Sequence, residues 1–209
     1  MNITLIGTGN MGSAFARQLS AAGHQVRITG RDLAKAQALA AQFDGVEAYA
    51  PQEALAGNDV VIVATAYDDA VAALKSLGSL EGKVIIDITN PLTADYMGLT
   101  IGHSTSAAEE IARAIPGAEV VKGFNTLFAQ VLADGPVFAG DVVGTVLVAS
   151  DSERARQTAR ALAHSLGWNT TDAGGLSNAR YLEALAGLNI YLGYGAGLGT
   201  RIAPAWLSR

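Results

Sequence analysis

Near its N-terminus the chain reads Ile3-Thr4-Leu5-Ile6-Gly7-Thr8-Gly9-Asn10-Met11-Gly12, a G-x-G-x-x-G pattern preceded by aliphatic and β-branched residues. The apolar run predicts a buried strand, and the spacing over residues 13–22 predicts a helix that Gly23 ends. A second strand is predicted over residues 26–29. A strand, a glycine-rich turn, a helix and another strand form the dinucleotide-binding pattern in the context that it requires.

Each glycine of this pattern has its own predicted role. Gly7 lets the chain turn sharply, Gly9 lets the backbone approach a pyrophosphate, and Gly12 lets the helix pack closely on the strand. The pyrophosphate then faces the positive end of the helix and its unpaired N–H groups. A glycine-bearing turn also occurs for packing alone, but the strand–turn–helix–strand frame favours nucleotide binding.

Composition and net charge indicate which fold class, partners and location are expected. Half of the 209 residues are hydrophobic and only 6% are aromatic, which is typical of a parallel sheet buried on both faces. The net charge is −5 and no basic stripe is visible, so nucleic acid is not an expected partner. No apolar run reaches the roughly 18 residues of a membrane span. The first strand leaves no room for a signal peptide, so a cytoplasmic location is expected.

The absence of cysteine excludes disulfides, thiolate nucleophiles and cysteine metal sites, and no other metal-ligand cluster is evident. The three histidines do not form a catalytic set with serine and aspartate. His24 and His164 are predicted to be structural, whereas His103, in a loop near the expected ligand edge, is a candidate for a functional role. Asp68 or Asp69 is predicted to cap the following helix, so the two are interpreted as a helix start rather than as an acid/base pair.

Alternating patterns along the chain predict a doubly wound, Rossmann-type α/β fold with a small C-terminal helical cap. We expect an NADP-binding domain over residues 1–150 and a cap over residues 151–209 that completes a second cofactor site. Residues 133–144 are predicted to be a loop. A final helix over residues 178–194 is apolar on most of its circumference and must be buried, which suggests a second subunit.

The end of the second strand indicates which dinucleotide is bound. NAD enzymes usually have an acidic residue there, but this chain has Thr29 and Gly30 followed by Arg31. Arg31 can hold a 2′-phosphate with its planar guanidinium, and Lys35 lies one helical turn further on. The alternative is that Arg31 and Lys35 are solvated and that Asp32 binds the ribose, although a helix cap explains Asp32 more simply. NADP is therefore favoured over NAD.

Polar and small residues follow three further strands, at the edge where such sheets bind ligands. Thr65, Ala66 and Tyr67 are expected along the ribose and nicotinamide, with Val71 one helical turn further in. Asn90-Pro91-Leu92 and Asn125-Thr126 are expected near the nicotinamide. Each of these groups alone is explained as a turn or cap; their collection at one edge favours a site.

With these residues in place, the sequence resembles the coenzyme F-420-dependent NADP oxidoreductases and their bacterial relatives. The similarity runs through nearly the whole chain. It is carried by six segments: residues 6–12, 30–31, 86–92 (Ile-Asp-Ile-Thr-Asn-Pro-Leu), 105–109, 121–126 (Val-Lys-Gly-Phe-Asn-Thr) and 172–180 (Asp-Ala-Gly-Gly-Leu-Ser-Asn-Ala-Arg). The last three are much more specific than the first.

The resemblance implies hydride transfer between nicotinamide and a deazaflavin or flavin, with no side-chain acid or base, in a homodimer. Residues 8–11 would hold the pyrophosphate, and Gly30, Arg31 and Lys35 the 2′-phosphate. The nicotinamide and its partner ring would be surrounded by Tyr67, Val71, Asn90, Pro91, Leu92, Asn125 and Ala129. Asn125, the best candidate for positioning the rings, stands where the archaeal enzymes have histidine, and Gly30 replaces a hydroxyl-bearing residue.

Three other functions share the same nucleotide half. One is an NADPH-dependent flavin (FMN or FAD) or ferric reductase, similar to the cytosolic domain of six-transmembrane metalloreductases. Another is reduction of a small imine or β-hydroxyacid, which normally needs a larger helical C-terminal domain than this chain has. The last is an NADP-binding sensor without turnover.

Overall fold

A computed structural model describes residues 1–206. Six parallel strands form one sheet in the order β3-β2-β1-β4-β5-β6, so the chain starts in the middle and is wound outward in both directions. The strands are β1 (Asn2–Ile6), β2 (Gln25–Thr29), β3 (Val46–Ala48), β4 (Val60–Val63), β5 (Val84–Asp87) and β6 (Glu119–Lys122). This confirms the predicted Rossmann-type fold.

Two further strands, β7 (Thr145–Val148) and β8 (Asn169–Asp172), form a separate parallel pair. An isolated antiparallel bridge between Lys122 and Ala149 joins this pair to the end of β6. The sequence predicts strands over residues 145–149 and 168–171, but not their separation from the main sheet. The bridge brings the C-terminal part of the chain to the carboxyl end of β6.

Helices cover both faces of the main sheet and connect its strands. They are α1 (Asn10–Ala21), α2 (Leu33–Ala40), α3 (Pro51–Ala54), α4 (Tyr67–Lys75), α5 (Ala107–Ala114), α6 (Ala129–Asp134), α7 (Glu153–Ser165) and α8 (Ala179–Ile190). Apolar side chains of β4 and β5 alternate between two core clusters. Ile62 and Ile86 face the first, under α1, α2, α6 and α7, and Val61 and Ile85 face the second, under α4 and α5.

Several predicted boundaries were wrong. The loop expected over residues 133–144 begins inside helix α6, and it also contains a 3₁₀ turn at Ala139–Asp141. Helix α4 starts at Tyr67, so Asp68 and Asp69 lie in its first turn and do not cap it. Here the charge preference of a helix start, which Asp68 and Asp69 satisfy, was mistaken for a capping hydrogen bond.

The final helix is shorter than predicted. A 3₁₀ turn at Leu176–Asn178 precedes α8, and a π-helical turn at Tyr191–Gly195 follows it. In that turn Gly193 lies against the ring of Phe128, where a Cβ would meet the ring at 2.6 Å. The turn therefore packs against the start of α6. Within residues 1–206, no helix has the length and hydropathy needed to cross a membrane.

Candidate functional site

The glycine turn, residues 7–12, has the geometry that its sequence predicts. Gly7 has φ +122°, and a Cβ there would overlap the carbonyl oxygen of Ala64 at the end of β4. A Cβ at Gly12 would overlap the carbonyl oxygen of Gly7. A Cβ at Gly9, by contrast, would have no atom within 4 Å. Gly7 and Gly12 therefore serve packing, while the open space at Gly9 fits a group that approaches the backbone.

A cleft of about 680 Å³, here called the phosphate cleft, lies outside the ends of β1, β2 and β4. It is lined by eight of the predicted site residues: Gly7, Thr8, Gly9, Gly30, Arg31, Lys35, Thr65 and Ala66. Its size suits a nucleotide, since small-molecule sites are clefts of about 300–1,000 Å³. Its position is the topological switch point of the sheet, where β1 lies between β2 and β4.

The charges at the rim of the phosphate cleft are largely exposed. The Arg31 side chain is 87% exposed, and its guanidinium pairs with Asp69, whose Oδ2 is 3.3 Å from Nη2. Asp32 accepts a hydrogen bond from the backbone N–H of Lys35 and so caps α2, which confirms the simpler of the two interpretations of Asp32. Lys35 is also largely exposed, and its Nζ lies 4.0 Å from Asp32 Oδ2, so both cations at the rim are in exposed ion pairs. Asp69 was not predicted as part of this site.

A second cavity of about 230 Å³, here called the inner cavity, lies beyond the N-terminus of α1. Six predicted site residues line it: Asn10, Met11, Asn90, Leu92, Asn125 and Ala129. Residues 88–90 and 125–128 bring the ends of β5 and β6 to its wall, and α8 closes it with Ala186, Asn189 and Ile190. Thr126, Leu127 and Phe128 are buried there.

Two asparagines form a fixed pair in the inner cavity. Asn90 Nδ2 donates to the carbonyl oxygen of Asn125 (2.8 Å), and Asn125 Nδ2 donates to Asn90 Oδ1 (2.9 Å). The second proton of Asn125 Nδ2 goes to the carbonyl oxygen of Leu182 in α8 (3.0 Å). Asn125 Oδ1 is buried and accepts no hydrogen bond within residues 1–206. A buried acceptor without a donor fits a ligand that brings an N–H group.

Four predicted site residues line neither the phosphate cleft nor the inner cavity. One is Gly12, which packs against Gly7 within the glycine turn, and the other three are Tyr67, Val71 and Pro91. Tyr67 and Val71 line a separate groove between α4 and α5, where the Tyr67 hydroxyl donates to Glu110 Oε2 at 2.6 Å. Burial, and then the bond to Glu110, raise the pKa of Tyr67. Pro91 is buried next to the inner cavity rather than on its wall. Contacts of Tyr67 and Val71 with a cofactor stay predictions.

Sequence reasoning missed a cluster of buried charges beneath the inner cavity. Lys122, at the end of β6, is fully buried, and its Nζ lies 2.7 Å from Asp87 Oδ2 and 2.8 Å from Glu183 Oε1. Asp87 ends β5 and Glu183 lies in α8. Asp87 and Lys122 are charged residues that end neighbouring apolar strands, and this pattern could have indicated that they form a pair.

Two of the histidines have structural contacts, as predicted. His24 Nδ1 lies 2.8 Å from the N-terminal amine and Nε2 lies 2.8 Å from Ser165 Oγ. Burial, together with that amine, lowers the pKa of His24. His164 Nε2 lies 3.0 Å from Thr170 Oγ1. His103 is exposed, at φ +61°, and lines neither the phosphate cleft nor the inner cavity.

Comparison with known proteins adds to this geometry. A family model described as coenzyme F420-dependent NADP oxidoreductase matches residues 2–91. The chain is 33% identical to the F420-dependent NADP reductase of Methanothermobacter marburgensis, over 92% of each chain. It is 28% identical to the rat metalloreductase STEAP3 over 88% of this chain, but spans only 36% of that protein's length.

Among solved structures, one described as a putative F420-dependent NADP-reductase from an Arthrobacter species superposes with a TM-score of 0.87. That structure is 30% identical in sequence and is matched over 99% of both chains. A reductive aminase from Aspergillus terreus has a TM-score of 0.68 at 22% identity, and this chain covers 62% of it. The second likeness concerns the fold alone.

Proposed function

The chain belongs to the coenzyme F420-dependent NADP oxidoreductase family, and from that premise we propose that it transfers hydride between NADP(H) and a deazaflavin, coenzyme F-420. The main support for this proposal is that the phosphate cleft and the inner cavity meet at the glycine turn. Gly9 lines the phosphate cleft and the next residue, Asn10, lines the inner cavity. A dinucleotide whose pyrophosphate lies at Gly9 would have its adenosine on one side and its nicotinamide on the other.

The phosphate cleft supports NADP rather than NAD as the nucleotide. Gly30 and Arg31 follow β2, where an NAD enzyme usually has a carboxylate, and Asp32 is engaged in capping α2. Arg31 offers a planar guanidinium to the 2′-phosphate, and Lys35 adds a second positive charge. The pyrophosphate would lie against residues 8–11, at the positive end of α1.

The inner cavity would hold the nicotinamide against the second ring. The bound cofactors would themselves supply the hydride chemistry, so the residues of the cavity would need to supply position and a dry site. Buried Ile88, Leu127 and Phe128 exclude water from the wall. Asn125 Oδ1 is the acceptor available for an N–H of the nicotinamide carboxamide or of the second ring.

The C-terminal cap, residues 151–209, is proposed to complete the second cofactor site and to form a homodimer. The part that the structure describes supports both roles. Ala186, Asn189 and Ile190 of α8 line the inner cavity, and exposed apolar side chains continue from there along the same helix and its π-helical turn. These side chains are Tyr181, Leu188, Tyr191 and Tyr194. A face of this kind, unpartnered in one chain, is typical of a subunit interface.

A second candidate function is an NADPH-dependent flavin or ferric reductase, and the similarity to the rat metalloreductase STEAP3 favours it. The phosphate cleft would serve that reaction unchanged, with FMN or FAD in place of the deazaflavin. A non-catalytic NADP sensor is the third candidate. In both cases Arg31 and the glycine turn keep their proposed roles.

The three candidates differ in which acceptor oxidises NADPH. We would follow NADPH absorbance with coenzyme F-420, FMN and a ferric chelate offered in parallel to the same preparation. The proposal expects the deazaflavin to give the highest kcat/KM. Faster oxidation with FMN or the ferric chelate would establish the second candidate instead, and tight NADPH binding with no accelerated oxidation would establish the sensor.

A further inference from the structure

The buried charges beneath the inner cavity are arranged around one ammonium group. The Lys122 ammonium has three N–H donors. Three acceptor atoms lie near its Nζ: Asp87 Oδ2, Glu183 Oε1 and, at 2.6 Å, the carbonyl oxygen of Thr89. None of the three charged side chains is more than 2% exposed. Because two carboxylates meet one ammonium, a further positive group is needed to balance the cluster.

The start of helix α5 supplies that balance. Glu183 Oε2 accepts the backbone N–H of Ala107 at 2.9 Å, and Oε1 accepts that of Ala108 at 3.2 Å. These are unpaired donors at the positive end of a helix, where a carboxylate is favoured. Glu183 therefore joins three elements, namely α8, the start of α5 and the end of β6.

The cluster also fixes the backbone of Thr89 from both sides. Asp87 Oδ1 accepts the Thr89 N–H at 2.8 Å, and Lys122 Nζ donates to the Thr89 carbonyl oxygen. Thr89 directly precedes Asn90, the first anchor of the Asn125 amide. Glu183 directly follows Leu182, whose carbonyl oxygen is the second anchor. The first anchor, Asn90, thus follows Thr89, whose backbone the cluster holds. The second anchor, Leu182, precedes Glu183, which is a member of the cluster.

We propose that Lys122, with Asp87 and Glu183, is a positioning cluster that orients the Asn125 amide so that its Oδ1 accepts a hydrogen bond from the nicotinamide carboxamide. Both protons of Asn125 Nδ2 are used within the protein, so the amide cannot turn over without losing two hydrogen bonds. The inference rests on the proposed NADP site, but it does not depend on the identity of the hydride acceptor.

The test compares two ligands by calorimetry. NADPH would extend through both the phosphate cleft and the inner cavity. Adenosine 2′,5′-bisphosphate has only the part that the phosphate cleft would hold. Asn125→Ala and Glu183→Gln are expected to weaken NADPH binding about five- to tenfold, the loss that one hydrogen bond accounts for. The dissociation constant of the bisphosphate is expected to stay within about twofold, because Gly7, Arg31 and Lys35 lie outside the cluster.

Arg180→Met is the matched control. Arg180 ties the same two helices together through its 2.6 and 2.9 Å bonds to Glu109, but it contacts neither Thr89 nor Lys122. If Glu183 only docked α8, Arg180→Met and Glu183→Gln would weaken NADPH equally, and the proposal would be wrong. Under the proposal, Arg180→Met leaves both dissociation constants unchanged.

The double variant Glu183→Gln/Asn125→Ala decides whether the cluster acts through Asn125. The proposal expects it to bind NADPH no more weakly than Asn125→Ala alone, because coupled residues are not additive. Additive losses, or an equal loss for the bisphosphate, would overturn the proposal. Failure of NADPH oxidation with every acceptor, alongside this binding pattern, would refute the proposed reaction and leave the cluster's role in place.

Discussion

The phosphate cleft and the inner cavity are built in opposite ways, although they meet at Gly9 and Asn10. At the rim of the cleft, the Arg31 side chain is 87% exposed and pairs with the half-exposed Asp69 at 3.3 Å. Beneath the cavity, Lys122 is fully buried and forms ion pairs with two carboxylates. The cleft depends on backbone shape and flexible charges, which suits recognition of phosphates. The cavity depends on side chains held by hydrogen bonds, which suits the placement of reacting rings.

The largest expected effects come from the glycine turn that both regions share. Gly9→Val is expected to weaken NADPH binding by more than about a hundredfold with the fold retained, because its Cβ enters open space that the pyrophosphate needs. Gly12→Val is the matched control. Its Cβ would overlap the Gly7 carbonyl oxygen, so it is expected to lower the free energy of unfolding by about 3 kcal/mol or more. Thermal unfolding and calorimetry measure the two effects; a folded Gly9→Val protein with unchanged NADPH affinity would contradict the site.

Replacing one buried cation beneath the inner cavity and one exposed cation at the phosphate cleft tests whether the two regions differ in this way. Lys122→Met leaves two buried carboxylates without their ammonium, so the free energy of unfolding is expected to fall by about 3–5 kcal/mol. Arg31→Met is expected to leave stability unchanged, because its ion pair is exposed, and to weaken NADPH binding instead. Urea unfolding of both variants measures this contrast. Equal stability losses would show that the two regions do not differ as described.

Reversing the charge of Arg31 tests nucleotide choice. Arg31→Glu is expected to raise KM for NADPH on the order of a hundredfold, since it removes a charge-assisted bond and adds repulsion toward the 2′-phosphate. KM for NADH is expected to change little, because NADH has no phosphate at that position. Steady-state kinetics with both nucleotides decide the matter. A similar rise for both would remove the assignment of NADP.

The smallest effect is expected at Asp69. This carboxylate lines the phosphate cleft and pairs with Arg31, so a 2′-phosphate bound by Arg31 would have to compete with it. Asp69→Asn is expected to tighten NADPH binding about two- to fivefold, in keeping with the small free energy of an exposed ion pair. Asp68→Asn, one position away and outside the cleft lining, is the control. Unchanged NADPH affinity in Asp69→Asn would show that Arg31 does not bind the phosphate.

The two regions also differ in how far the sequence could predict them. Much of the phosphate cleft follows from local pattern, because residues 7–12 and Arg31 belong to one strand–turn–helix–strand unit. Its contacts with Ala64 and Asp69 come from a more distant segment. The inner cavity depends on contacts between distant segments, such as Asn125 with Leu182 and Lys122 with Glu183. Strand ends indicated Asn90 and Asn125, but periodicity contains no information on which residue of α8 reaches them.

The positions of Tyr67, Val71 and Glu183 depend on how the helices pack. Tyr67 and Val71 follow β4 and were expected at the nicotinamide, yet α4 turns them toward α5, where Glu110 accepts the Tyr67 hydroxyl. Glu183 was one of few polar residues in an apolar helix, and its burial against the start of α5 depends on how α8 packs. Helix orientation is set by tertiary packing, which a single sequence does not specify.

The central claim is direct hydride transfer at the junction of the two regions. It is tested most directly with NADPH carrying deuterium at C4 of the nicotinamide, oxidised in ordinary water by coenzyme F-420 in the presence of this protein. The account predicts that the deuterium from one face of C4 is recovered at C5 of the reduced deazaflavin, as nuclear magnetic resonance would detect. Recovery of that deuterium in the solvent, or no reduction of the deazaflavin, would contradict it.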